Sequence, residues 1–66
     1  MEIIVNGEQK KVEAGTSVEG YLTGLDLNLE TVVIECDGDI LKREEYPLRI
    51  LREGCVLEVI RFIGGG

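Results

Sequence analysis

The stretch that decides the fold is CVLEVIRFIGGG, residues 55–66. Its first part is the longest predominantly apolar run in the chain and predicts a final β-strand from Cys55 to Ile63. Three glycines follow, Gly64, Gly65 and Gly66. Glycine adds no packing surface and loses the most backbone entropy when it is ordered. These glycines are therefore either an unstructured end or a thin flexible arm that enters a narrow space.

The start of the chain predicts a β-hairpin. Residues 1–5, MEIIV, alternate in a way that places Met1, Ile3 and Val5 on one face of a strand. The dipeptide Asn6-Gly7 favours a type I′ turn, because both residues accept a positive φ. A polar return strand is expected at about residues 8–13.

A helix is expected next, with Thr16 as its N-cap and Glu19 completing a capping box. It should end at about Leu25, and two internal glycines should each cost it roughly 1 kcal/mol relative to alanine. The apolar stripe at helical spacing that faces the core consists of Val18, Tyr21, Leu22 and Leu25.

Two further strands are predicted before the last one. Residues 31–36 are β-branched and largely apolar, and a turn at 37–39 leads into a short strand at Ile40-Leu41. We expect residues 48–51, which carry three more aliphatic side chains, to tuck under the core as a loop or 3₁₀ turn.

This order of elements defines an α+β fold, with one main helix packed on one face of a mixed sheet of four or five strands. The first and last strands are the most apolar, which places them centrally, and a crossover between them makes them parallel. This is the β-grasp arrangement. It divides the chain into a β-grasp domain, 1–63, and a flexible tail, 64–66.

The sheet face opposite the helix should carry an apolar patch formed by Ile4, Val33, Ile60 and Phe62. Exposed apolar patches on small proteins usually mark binding surfaces, so we interpret these residues as a partner-docking surface. The alternatives are that residues 48–51 cover part of the patch, or that scattered exposed apolar side chains carry no function.

Composition restricts the function. The chain has 66 residues, a net charge of −6 and no histidine. So short a chain has little room for a substrate cleft, which favours a carrier or adaptor over an enzyme, with no catalytic residues. The negative charge argues against nucleic acid and anionic membranes and favours a basic partner protein. Without histidine, common zinc sites are excluded, and no metal or bound cofactor is expected.

No signal peptide or membrane segment is recognisable, so a cytoplasmic location is expected. The two cysteines, Cys36 and Cys55, do not make a disulfide framework. Either could hold sulfur or form a link to a partner, or could instead serve as a small buried hydrophobe. The structural interpretation is favoured for Cys36, while Cys55, at a strand start, is expected to be more open.

The distinctive reactive group is the carboxylate of Gly66. A carboxylate is a poor electrophile until it is adenylated, when a thiolate, persulfide or amine can attack it. The glycine arm lets the backbone pass a constriction that any Cβ would block. The chain would then be the substrate of a partner that uses ATP.

Five segments, taken together and in order, have a family likeness: Met1–Gly7, Gly15–Val18 with Leu22, Ile40–Tyr46, Leu51–Gly54 and the final diglycine. In these segments the sequence resembles the ThiS-type sulfur carrier proteins, within the ThiS/MoaD family of the ubiquitin-like β-grasp superfamily. Lys42 stands where that family commonly has proline, Cys55 where it commonly has aspartate, and the end is Gly-Gly-Gly rather than Gly-Gly.

The resemblance implies a sulfur-transfer cycle for thiamine biosynthesis. An E1-like adenylyltransferase would use ATP to activate Gly66, and a sulfur donor, often a cysteine desulfurase persulfide, would convert it to a thiocarboxylate. A thiazole synthase would then receive the sulfur. Three alternatives stay open. The first is a sulfur carrier for molybdopterin, tRNA thiolation or cysteine synthesis, and the second is a ubiquitin-like modifier joined to lysines of target proteins. The third is a plain β-grasp interaction module whose tail is inert.

Overall fold

The computed structural model describes residues 1–61. Two 3₁₀ turns, Leu29–Thr31 and Arg43–Glu45, lie between the regular elements. In chain order, those elements are β1 (Glu2–Val5), β2 (Glu8–Lys11), helix α1 (Val18–Thr23), β3 (Val32–Cys36), β4 (Asp39–Ile40) and β5 (Val56–Arg61).

The strands form one five-stranded sheet in the order β2-β1-β5-β3-β4. β1 and β5 are parallel, with Ile4 beside Val56, and the other neighbouring pairs are antiparallel. The predicted mixed sheet, with the first and last strands adjacent and central, is therefore confirmed. The tail-bearing strand β5 lies between two neighbours rather than at an edge.

The core lies between α1 and one face of the sheet. Val18 and Leu22 of the helix are fully buried against it, as predicted. Val59 of β5 packs against the core while remaining partly exposed. The buried residues contributed by the strands and the segments between them are Ile3, Val5, Val32, Ile34, Cys36, Leu41, Tyr46, Leu51, Cys55 and Leu57.

The helix is shorter than predicted at both ends. Ser17, not Thr16, is the N-cap: its Oγ accepts a hydrogen bond from the Gly20 N–H at 3.0 Å. The Thr16 hydroxyl instead donates to the carbonyl of Glu13. Because α1 ends at Thr23, Leu25 leaves the helical stripe and is 42% exposed, so its assignment to the core was wrong.

The segment after the second 3₁₀ turn is only partly buried. Leu51 enters the core, but Leu48 and Ile50 are exposed, which corrects the prediction that all three lie under it. Backbone bonds from Leu51 N to Thr16 O and from Val18 N to Arg49 O hold this segment beside the helix start. Leu48 and Ile50 therefore add nothing to the core, whereas Tyr46, which precedes them, is buried to 3% exposure.

Candidate functional site

The candidate site begins where β5 ends. Arg61, its last residue, is exposed and pairs with Val32 of β3. The predicted tail, Gly64 to Gly66, and the predicted docking residue Phe62 lie outside the described residues. The described part of the chain therefore shows the strand that leads to the tail and the surface beside it.

The other three predicted docking residues lie on the sheet face opposite the helix. Val33 and Ile60 are direct partners across β3 and β5, and Ile60 is 46% exposed. Ile4 lies on the same face but beside Val56, at the start of β5. Since a strand rises about 3.3 Å per residue, the two apolar pairs are separated by roughly 13 Å. We call Ile4, Val33, Val56 and Ile60 the outer apolar pairs.

Two carboxylates occupy the space between the outer apolar pairs. Glu35 and Glu58 are direct partners on β3 and β5, and both are half-buried. The sequence reasoning did not single them out, although Glu58 between Leu57 and Val59 shows the strand alternation that reveals an outward polar position. The outer face is thus apolar at both ends and acidic in the middle.

An open groove of about 370 Å³ runs beside the β3–β4 hairpin. Its charged lining residues, Glu30 and Arg43, pair with each other, with Oε2 and Nη1 4.0 Å apart. The rest of the lining is mostly apolar. The groove therefore offers a contact surface for a partner rather than a pair of groups suited to acid–base catalysis. Its remaining lining residues are Leu29, Val32, Val33, Ile40, Leu41 and Tyr46.

Both cysteines are buried, which corrects the expectation that Cys55 is the more open one. Burial raises the pKa of the Cys36 thiol, and the nearby Arg49 guanidinium opposes that rise without cancelling it. Cys55 precedes β5 while Arg61 ends it, a separation of roughly 20 Å at strand spacing. The cysteines therefore act as core residues, at the end of the strand opposite the tail.

A mixed five-stranded sheet with one helix against one face defines this protein as a ubiquitin-like β-grasp protein. The chain belongs to the ThiS family, whose family model matches residues 3–66. Proteins of this family are small sulfur carriers rather than enzymes, so the prediction of a carrier is confirmed at the level of the family.

Two solved structures resemble the chain over its whole length. The crystal structure of the thiamine biosynthesis protein ThiS from Geobacter metallireducens is 30% identical, with a TM-score of 0.85, and the match covers 100% of both chains. An NMR structure of a thiamine biosynthesis protein from the same organism is 29% identical, with a TM-score of 0.80, over 100% of this chain and 88% of that one.

Two relatives are longer proteins. A thiazole synthase from Magnetococcus marinus is 42% identical and one from Paramagnetospirillum magneticum is 32% identical, each over 100% of this chain. The match covers 20% of each relative, so this chain spans about one fifth of their length.

Within residues 1–61, no helix is both long enough and apolar enough to cross a bilayer.

Proposed function

We propose that this chain is the sulfur carrier that supplies the thiazole sulfur of thiamine, with Gly66 as the residue that carries it. The observation that carries the proposal is the family match, which runs from residue 3 through Gly66 and so includes the glycine tail. The geometry supports it, because β5 leads toward that tail from the centre of the sheet.

The chemistry takes place at the Gly66 carboxylate in two steps. A carboxylate oxygen attacks the α-phosphorus of ATP in the active site of an E1-like enzyme, and pyrophosphate leaves. Hydrosulfide then attacks the acyl-adenylate carbon, AMP leaves with its bonding electron pair, and a thiocarboxylate remains. When a cysteine desulfurase persulfide supplies the sulfur, a thiol must also reduce the acyl disulfide that forms. The carrier itself supplies an accessible and correctly placed carboxylate, because its partner binds the ATP.

The outer apolar pairs, together with Phe62, form the proposed docking surface for the E1-like adenylyltransferase. Ile60 lies one residue before the last described position, so a partner that contacts it lies close to the tail. Docking there would place the tail at the partner's active site and raise its effective concentration.

The thiazole synthase is the proposed acceptor of the sulfur. Both longer relatives carry that name and contain a region similar to this whole chain, which supports a functional link between carrier and synthase. The cysteines at positions 36 and 55 are unpaired, which fits a reducing cytoplasm.

One experiment tests the proposal and its alternatives. The chain is incubated with ATP, sulfide and the E1-like enzyme of the same cell, and its intact mass is measured. A gain of about 16 Da, from sulfur replacing oxygen, is expected, and a chain lacking Gly65-Gly66 should show none while keeping its fold. Conjugates of higher mass would instead identify a protein modifier. An unchanged mass, or loading of the truncated chain, would contradict the carrier role of Gly66.

A second experiment tests whether thiazole synthase is the acceptor, and it starts from a carrier that already holds sulfur. Adding the thiocarboxylate form to thiazole synthase and its small-molecule substrates should yield the thiazole product and return the carrier to its original mass. Transfer to an enzyme of molybdopterin, cysteine or tRNA-thiolation chemistry, with none to the thiazole synthase, would place the chain in another pathway.

A further inference from the structure

The two hairpin turns of this fold have the same backbone conformation. Each has two residues, Asn6-Gly7 and Asp37-Gly38, and all four residues have positive φ: 50° and 83° in the first, 51° and 88° in the second. Positive φ at both central positions is what a type I′ turn requires. In both turns the first residue also uses its side chain to bond the backbone of β5.

Asn6 continues the parallel ladder of β1 after the backbone has turned away. The Ile4 N–H donates to the Cys55 carbonyl and the Asn6 N–H to the Leu57 carbonyl, as in a parallel pair. The next bond would join the Asn6 carbonyl to the Val59 N–H. The turn moves that carbonyl away, and the side-chain Oδ1 accepts from the Val59 N–H at 2.8 Å instead.

The carboxamide of Asn6 also makes a second bond to the same residue. Its Nδ2 donates to the Val59 carbonyl at 3.3 Å. The β1 backbone pairs with β5 only as far as Leu57, so this side chain extends the ladder by two residues along β5. Within β5, Val59 is followed only by Ile60 and Arg61.

At the other end of β5, the side chain of Asp37 likewise takes the place of a backbone carbonyl as a hydrogen-bond acceptor. Its N–H donates to the Val56 carbonyl at 2.8 Å, and its Oδ1 accepts from the Val56 N–H at 2.8 Å. Asp37 therefore braces the first residue of β5 from the β3 side. Asn6 braces the strand near its last residues from the β1 side.

From this placement we infer that Asn6 is a positioning residue for sulfur loading: it fixes the end of β5 from which the reactive tail extends. The inference rests on the proposed function. A strand held by a neighbour on one side only loses its terminal pairs more readily than one held on both sides. With Asn6 in place, a docked carrier presents its tail in a narrower range of directions, which raises the fraction of encounters that react.

The chemistry of asparagine suits this position. Glycine would accept the positive φ of the turn but would offer neither bond to Val59. Aspartate could accept from the Val59 N–H, but it has no donor for the Val59 carbonyl. Asn6→Gly and Asn6→Asp therefore remove two bonds and one bond respectively, without forcing the turn to change.

Amide hydrogen exchange tests the brace, and Asp37→Gly is the matched control. Asn6→Gly should speed exchange at the Val59 amide by about tenfold and leave the Val56 amide unchanged, while Asp37→Gly should do the reverse. Asn6→Asp should fall between wild type and Asn6→Gly. Unchanged exchange at Val59 in Asn6→Gly would overturn the inference at its structural step.

Thiocarboxylation kinetics test the positioning role. Asn6→Gly should lower kcat by about threefold to tenfold, which corresponds to the net free energy that a hydrogen bond typically contributes. KM should change less than about twofold. Asp37→Gly loses a bond of equal length at the far end of the same strand and should keep the wild-type kcat.

The outcomes separate this inference from the proposed function. Equal kcat in wild type and Asn6→Gly, or equal losses in Asn6→Gly and Asp37→Gly, would overturn the positioning role while leaving the carrier function intact. If wild type itself gains no sulfur, the proposed function fails, and the brace is then judged on Val59 exchange alone.

Discussion

Glu35 and Glu58 face each other across β3 and β5, on the sheet face opposite the helix. Like charges directly opposite one another on neighbouring strands destabilise a sheet. Both side chains are half-buried, so water screens them incompletely. The protein thus retains an unfavourable pair in the middle of the surface that we assign to partner docking, and a basic group on the partner would relieve it.

Replacing Glu58 with glutamine should increase the free energy of unfolding by about 0.2–1 kcal/mol, because it removes the repulsion with Glu35. Urea unfolding at low and at high salt measures the effect, and the gain should shrink at high salt. Glu44→Gln removes an equal charge from an exposed 3₁₀ turn and is the control. An equal gain in both variants would show that overall charge, not the facing pair, sets the effect.

Ile60→Asp should weaken binding to the E1-like enzyme at least about fivefold, because it places a charge in the apolar part of the docking surface. Titration calorimetry of the two proteins measures this. Leu48→Asp, at a position 78% exposed and beside the helix rather than on the outer face, is the matched control and should bind like wild type. If both variants bind alike, or if Ile60→Asp unfolds the domain, the docking surface is misplaced.

Gly20→Ala should stabilise the protein by about 0.5–1 kcal/mol, since alanine favours the helix more than glycine does. A Cβ at this position would meet the Ser17 Oγ at 3.4 Å and the Thr16 Cγ2 at 3.6 Å, which are ordinary contacts. The glycine is therefore not required for close approach to the sheet. Thermal unfolding measures the change, and a lower melting temperature would contradict the geometry.

Stability should fall as the pH rises above the ordinary thiol pKa of about 8.5, in part because of Cys36. Burial raises the pKa of this thiol in the folded state, so the unfolded state loses its proton first. The contribution is complete below the unfolded pKa and is lost as the pH rises toward the folded one. Urea unfolding at several pH values should show a shallower decline in Cys36→Val than in wild type. Identical slopes would exclude this thiol as a cause.

The sheet and the position of its last strand were predictable from the sequence. Asn6-Gly7 fixes a two-residue turn, and the apolar strands 1–5 and 55–63 leave few arrangements other than a central parallel pair. The outward positions of Ile4, Val33 and Ile60 followed from period-two alternation alone. The turn residues and the alternation of apolar residues were therefore sufficient to predict most of the fold.

Features that depend on the contacts between distant segments were not predictable in the same way. Leu25 fits the helical stripe, yet the helix ends at Thr23, because the chain must turn toward β3. Cys55 shares the core face of Leu57 by period-two alternation, but its burial at the very start of β5 depends on the segments that close over it. The Asn6–Val59 bonds join residues 53 positions apart, so only the folded register brings them together.

The central place of β5 also has a mechanical consequence. A partner that draws the residues after Arg61 into a narrow channel pulls along the axis of a strand whose ladders run on both sides. Such a force loads the hydrogen bonds in shear, so that many must yield together, whereas an edge strand can be peeled away one bond at a time. A domain that is bound at its outer face and pulled at its end should therefore resist unfolding better than one whose last strand lies at an edge.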